Sequence, residues 1–137
     1  ASMAGYWANW AGDHRMVTIR TSTTSSNSAR IEHRTADGAG NPYIVSSSVL
    51  KASLLGIKNK YKLPKAEDLD GMENVRATKH VPSSLSKALV ALEKDKVLKS
   101  EVGEKFCNAF IEIKKDEANR LAEKTVDEIR EFYLPFL

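Results

Sequence analysis

The chain has 137 residues, of which 42% are hydrophobic and 28% charged, with a formal net charge of +3 and one cysteine. That length suits a single globular domain, and no apolar run approaches the roughly 20 residues of a membrane span, so no membrane partner is expected. A single Cys107 excludes an internal disulfide, and no basic-then-apolar leader opens the chain, so a reducing, cytoplasmic setting is expected.

Residues 1–5 read as a tag remnant or disordered start, and residues 6–137 as the domain. Tyr6 to Gly12 is aromatic, small and irregular. Met16 to Arg20 alternates and is partly β-branched, which predicts a strand with Met16, Thr18 and Arg20 on one face. Residues 21–28 form a Ser/Thr/Asn run that reads as a loop. Arg30 to Arg34 is predicted as a second strand, followed by a Gly-containing turn. Asn41-Pro42 is a helix start, with Asn as cap and Pro in the first turn, and the helix is expected to run to about Tyr61. Residues 63–78 show no sustained period. Leu85, Ala88, Leu89 and Leu92 follow helical spacing. Glu104 to about Leu121 is a further amphipathic helix, with Phe106, Phe110 and Ile113 on one stripe and Cys107 as buried filler. Thr125 and Glu128 form a capping-box pair for a last helix, and the C-terminal residues are apolar.

The charge is unevenly spread. Residues 1–62 carry eight Lys/Arg against three Asp/Glu, and residues 63–137 carry thirteen against fifteen. The basic half holds Arg15, Arg20, Arg30 and Arg34, all in or beside predicted strands. Such a field attracts small anions or nucleic acid. The run Arg30-Ile31-Glu32-His33-Arg34, read with the period of two of a strand, puts Arg30, Glu32 and Arg34 on one face. Guanidinium groups bind phosphate and carboxylate oxygens in bidentate fashion, and a carboxylate is a hard ligand for magnesium. Spacing alone leaves two readings open: a solvated, salt-bridged strand face, or one wall of a phosphate and metal site. His14, His33 and His80 lack metal-ligand spacing. Two strands are also too few to stand alone in water, so the chain reads as part of a larger sheet.

The ordered set His14-Arg15, Thr18-Ile19-Arg20, Arg30-Ile31-Glu32-His33-Arg34, Asp37, Asn41-Pro42-Tyr43, Gly56-Ile57-Lys58-Asn59-Lys60 and Val81-Pro82-Ser83-Ser84-Leu85 resembles the C-terminal part of the catalytic domain of glutamine synthetases. The likeness runs from about Tyr6 to Tyr133. It implies an α+β fold, mostly helical with a small antiparallel sheet, corresponding to the C-terminal portion of a catalytic α/β domain. It implies an ATP-dependent ligase that phosphorylates the γ-carboxylate of glutamate and lets ammonia or an amine displace the phosphate.

By the same resemblance, Glu32 matches a ligand of Mg2+ or Mn2+, and Arg15 and Arg34 match catalytic, glutamate-binding arginines. Arg15, Arg20 and Arg30 match residues facing the ATP phosphates. Preorganised cations suit a step in which charge builds on phosphoryl oxygens. The sequence departs from the family pattern at His14, where Asn is usual, and at Asn27, Ala36 and Gly38. These departures fit a branch that uses an amine other than ammonia. The resemblance further implies that a complete site draws on other carboxylates, a histidine and a neighbouring subunit. The isolated chain is therefore expected to be inactive and to self-associate as a homo-oligomer. The alternatives are a basic non-enzymatic module for nucleic acid or another polyanion, and a helical oligomerisation scaffold. Nucleic acid is the weaker reading, because Tyr6, Trp7 and Trp10 precede the arginines instead of interleaving with them.

Overall fold

A computed structural model of the chain describes residues 5–22, 26–38, 40–71 and 73–136. Residues 1–4 and the centre of the Ser/Thr run, 23–25, lie outside the described residues, and with them most of the expected N-terminal tag and part of the expected loop. The chain divides into two compact units, residues 1–37 with 60–81, and residues 38–59 with 82–137. Among the described residues no helix is long and apolar enough to cross a membrane.

The first unit holds a three-stranded sheet of β1 (Trp10–Gly12), β2 (Ile19–Ser22) and β3 (Arg30–His33), in that spatial order. β2 pairs with β3 antiparallel, as expected, with Arg20 opposite Glu32. β1 pairs with β2 in parallel, so the sheet is mixed where the sequence suggested a purely antiparallel one. The reason is local. Parallel neighbours usually need a long crossover, but β1 has three residues and spans about 10 Å. The stretch from Asp13 to Thr18 is long enough to return, helped by Asp13 in the left-handed region at φ 50°.

β2 also begins later than the Met16–Arg20 alternation predicts. The Met16 N–H donates to His14 Nδ1 at 3.1 Å, and the Thr18 N–H donates to Asn9 Oδ1 at 3.1 Å. Both amides are thereby withheld from a strand ladder. Val17 between them is fully buried and, with Ala11, forms the apolar centre of this unit. The segment after residue 62, without regular structure, is fastened to β1: Trp10 Nε1 donates to Pro64 O at 2.9 Å and the Glu67 N–H donates to Trp10 O at 2.9 Å.

The second unit is helical: α1 (Pro42–Lys58), α2 (Leu85–Lys94), α3 (Lys96–Val102), α4 (Glu104–Leu121) and α5 (Val126–Tyr133). Asn41 caps α1 by accepting from the Tyr43 and Ile44 N–H groups at 3.0 and 3.2 Å. α1 stops at Lys58, short of Tyr61, because Lys60 takes a left-handed φ of 52°. The Leu85 periodicity gives α2, and Asp95 then caps α3 by accepting from the Leu98 N–H at 2.9 Å, a start signal the periodicity did not show. In α4 the buried positions are Cys107 and Ile111, while Phe106 and Ile113 of the expected stripe are exposed. Cys107 and Ile111, with Leu89 of α2, make the core of this unit. The Thr125–Glu128 capping box is present at α5, and the Tyr133 hydroxyl donates to Glu117 of α4.

Candidate functional site: an arginine–carboxylate wall on the sheet

The antiparallel register sets Arg20 of β2 opposite Glu32 of β3. Arg20 donates to Glu32 Oε2 from Nε at 3.0 Å and from Nη2 at 2.6 Å. Arg34 lies two residues beyond Glu32, on the same side of the strand, and its Nη1 is 3.3 Å from Glu32 Oε1. Its own N–H donates to Thr18 O at 2.9 Å, which carries the ladder one residue past β3. One carboxylate thus bridges two guanidiniums. All three side chains are partly accessible, at 20% for Arg20, 22% for Arg34 and 39% for Glu32, so the cluster can meet a ligand. Asp13 stands further off, 4.0 Å from Arg20 Nη1.

Arg34 carries the one orphaned group of this cluster. Its Nε is buried and has no hydrogen-bond partner among the described residues. A buried N–H without an acceptor is costly unless something else supplies one. An anionic oxygen is the natural complement of a guanidinium N–H.

Arg30 and Arg15 stand outside the bridged cluster. Arg30 is opposite Ser22, exposed, and reaches Ser28 O at 3.4 Å. Arg15 is exposed on the turn between β1 and β2, and its side chain has no hydrogen-bond or ion-pair partner among the described residues. The expected Arg30, Glu32, Arg34 face therefore resolves into an Arg20–Glu32–Arg34 bridge, with two cations nearby in sequence that have no carboxylate partner among the described residues. Arg20 joins by register, which the sequence of one strand cannot show.

The fit to a divalent cation is partial. Glu32 Oε2 accepts from Arg20 and Oε1 is ion-paired with Arg34, and among the described residues no group of three His, Cys, Asp or Glu side chains can hold a metal ion. Such a cation normally gathers six or more oxygen ligands, so Glu32 offers one ligand position and no complete site. The arginines fit phosphate in chemical kind.

Glu67 is a residue that sequence reasoning passed over. It is 5% exposed, and its carboxylate accepts from the Leu69 N–H at 3.2 Å, the Arg76 N–H at 3.0 Å and Asn9 Nδ2 at 3.4 Å. Burial pushes its pKa up, but these hydrogen bonds, the Arg76 N–H foremost, outweigh that and hold it below the ordinary value of 4.5. Asn9 in turn accepts from the Thr18 N–H, so the buried carboxylate steadies the approach to β2. Beside it, Arg76 pairs with Asp68 and, with Lys65, lowers the Asp68 carboxyl to about 2. A lone Glu in an aperiodic stretch gives no sequence signal for such a hub.

Comparison with known proteins places the chain in a family. A family model described as glutamine synthetase, catalytic domain, matches residues 1–133. A glutamine synthetase of Staphylococcus aureus (strain MW2) is 36% identical over 111 residues, covering 77% of this chain and 25% of its own. One from Staphylococcus epidermidis is 32% identical over 131 residues, 91% of this chain and 29% of its own. A solved structure of apo GmaS without ligand superposes with a TM-score of 0.74 at 30% identity, over 93% of this chain and 30% of that one. The matched stretch therefore spans between a quarter and a third of the length of these relatives. With about half of its residues helical, a small mixed sheet and a family match over nearly every residue, the chain belongs to the glutamine synthetase catalytic-domain family.

Proposed function

We propose that this chain supplies the arginine wall of an ATP-dependent ligase that joins ammonia or an amine to the γ-carboxylate of glutamate, and that it corresponds to the C-terminal part of the catalytic domain. The observation that carries this reading is the Arg20–Glu32–Arg34 bridge, with Arg34 Nε buried and lacking an acceptor. In this reading the γ-carboxylate oxygen attacks the γ-phosphorus of ATP and ADP leaves. The nitrogen nucleophile then attacks the activated carbonyl carbon and inorganic phosphate leaves. Arg20 and Arg30 bind ATP phosphate oxygens, Arg34 binds the glutamate carboxylate, and Arg15 serves both. Their charge is fixed before the reaction begins, which is what stabilises developing charge on a phosphoryl group. Glu32 would hold one position of a magnesium or manganese ion whose other ligands lie outside the described residues; bound there, that ion would offset phosphate charge.

The described residues gather too few metal ligands for turnover, so binding without catalysis is expected. Isothermal titration of the 137-residue chain with ATP, against the Arg20→Ala and Arg34→Ala variants, tests the reading. Binding that weakens in both variants supports it; no binding, or binding indifferent to both, rejects it. A coupled ADP-release assay with glutamate and ammonia tests the second half. Turnover by the isolated chain would show that its own residues complete the site. Self-association belongs to the same reading, supported by Tyr43, Leu50, Leu54 and Ile57 exposed at 82, 64, 60 and 75% along α1.

A further inference from the structure

Arg15 sits on the turn between β1 and β2, and its neighbours are fixed on both sides. His14 is the link. Its Nδ1 accepts the Met16 N–H at 3.1 Å, and its Nε2 is 2.7 Å from the Leu69 carbonyl oxygen. A carbonyl oxygen only accepts, so Nε2 carries the proton; an N–H meets Nδ1, so Nδ1 carries none. One neutral tautomer satisfies both contacts, and no other protonation state does. The ring closes the turn over Arg15 from residue i to i+2, as an Asn or Asp side chain does in an Asx turn. It also reaches across to the segment that follows Leu63.

That segment is anchored independently of His14. Trp10 Nε1 holds Pro64 O, and the Glu67 N–H holds Trp10 O. Leu69 is gripped twice: its N–H donates to Glu67, and its carbonyl accepts from His14. Gly71 follows at φ +79°, so close that a Cβ there would be 2.7 Å from Met16 Cβ and 3.0 Å from His14 Cε1. On the far side of Arg15, Val17 is fully buried and the Thr18 N–H is held by Asn9. The backbone around Arg15 is braced while its guanidinium is exposed and without a partner among the described residues. A rigid mount for a free cation lowers the ordering cost of meeting an anion.

We propose that His14, in its Nε2–H tautomer, is the positioning residue for Arg15. It ties the turn to the 64–76 segment, so that the guanidinium is presented to phosphate. The identity of that ligand rests on the reading under Proposed function; the mount itself does not.

Two measurements on the 137-residue chain decide it. In 15N NMR of the imidazole nitrogens, His14 shows a protonated Nε2 and a bare Nδ1; a protonated Nδ1, or two averaged shifts, overturns the proposal. An ATP titration of His14→Ala, Arg15→Ala and the double variant follows. His14→Ala weakens binding roughly three- to tenfold, the worth of one or two hydrogen bonds, and costs nothing further in the Arg15→Ala background. An equal loss in both backgrounds marks a general structural effect and overturns it. His14→Asn, which keeps an acceptor for the Met16 N–H, recovers part of the affinity and replaces His14→Ala if that variant fails to fold. If the wild-type chain binds no ATP, the ligase reading fails, and amide exchange decides the mount. Faster exchange at Met16, with Ile19 and Arg34 unchanged, supports it; uniform change or none overturns it.

Discussion

Arg20 and Glu32 face each other across β2 and β3, and a single oxygen, Glu32 Oε2, accepts from both Nε and Nη2 of Arg20. The opposite oxygen is left for Arg34. The carboxylate therefore holds two cations apart from each other and partly masks both. Glu32→Gln removes that charge and leaves the guanidiniums side by side. We expect a loss of about 1–2 kcal/mol in urea unfolding, because the cluster is only partly buried. We also expect tighter binding of metal-free pyrophosphate, by about three- to tenfold, since two cations are released toward an anion. A fall in pyrophosphate affinity would mean that Glu32 organises the arginines and does not mask them.

Gly71 makes a second prediction. Its φ of +79° lies in the left-handed region, and the space a Cβ needs is held by Met16 and His14. Gly71→Ala should cost about 1–3 kcal/mol in denaturant unfolding, from backbone strain plus the clash. Because the neighbours are the turn that carries Arg15, the variant should also weaken ATP binding. Gly38 has open space and an ordinary φ, so Gly38→Ala serves as the control and should change neither.

These residues show where sequence reading reaches and where it stops. Strand β3, the Asn41-Pro42 start of α1, α4 and the Thr125–Glu128 capping box were legible because each is specified within a few residues of chain. β1 was not legible: three residues carry no period, and their parallel pairing depends on Asp13 adopting a left-handed turn. β2 starts later than the alternation suggests because alternation cannot reveal that His14 and Asn9 take the amides of Met16 and Thr18. For the site, Glu32 and Arg34 share one strand face and were readable together. Arg20 needed the register, and Glu67 and His14 needed contacts more than 50 residues distant in sequence.

Glu67 predicts an acid response in the first unit. Its pKa is lower in the folded chain than in the unfolded one, so it contributes stability above the unfolded value near 4.5. That contribution is lost as pH falls below 4.5 through the folded value. Glu67→Ala strands the N–H groups of Leu69 and Arg76 and should cost about 2–3 kcal/mol at neutral pH. The measurement is amide NMR of the Val17 and Thr18 signals against pH. If the variant keeps the wild-type acid midpoint for those signals, Glu67 does not govern this region.

Along α1, Tyr43, Leu50, Leu54 and Ile57 follow one another at steps of seven, four and three residues, and all are exposed. That spacing lays them along one side of the helix. Burying apolar area at roughly 25 cal/mol per Å² favours covering such a stripe. Light scattering of the chain at tens of micromolar should give a mass above that of one copy. Leu50→Glu combined with Leu54→Glu should return it to one copy without unfolding α1, since neither side chain is buried. A wild-type chain that is already monomeric at that concentration removes this reading.

The start of α5 responds to acid by a separate route. Glu128 accepts from the Thr125 N–H at 2.8 Å and from its hydroxyl at 2.9 Å, while Lys124 Nζ is 3.0 Å away. The Thr125 N–H is the largest influence, and with Lys124 it lowers the Glu128 carboxyl to about 2. A carboxylate is also favoured near the positive end of the helix dipole. A lowered folded pKa means the stabilisation is complete above about 4.5 and fades between there and 2 as the carboxylate protonates. Glu128→Gln keeps an acceptor for the capping box but removes the titrating group. The variant should therefore begin α5 normally at neutral pH and lose the acid-dependent fraying of Val126 to Ile129 in that window. Thr125→Ala should do the reverse, fraying the helix at every pH by removing the acceptor for the Glu128 N–H. Identical fraying in the Gln variant and the wild type would assign the acid response to another group.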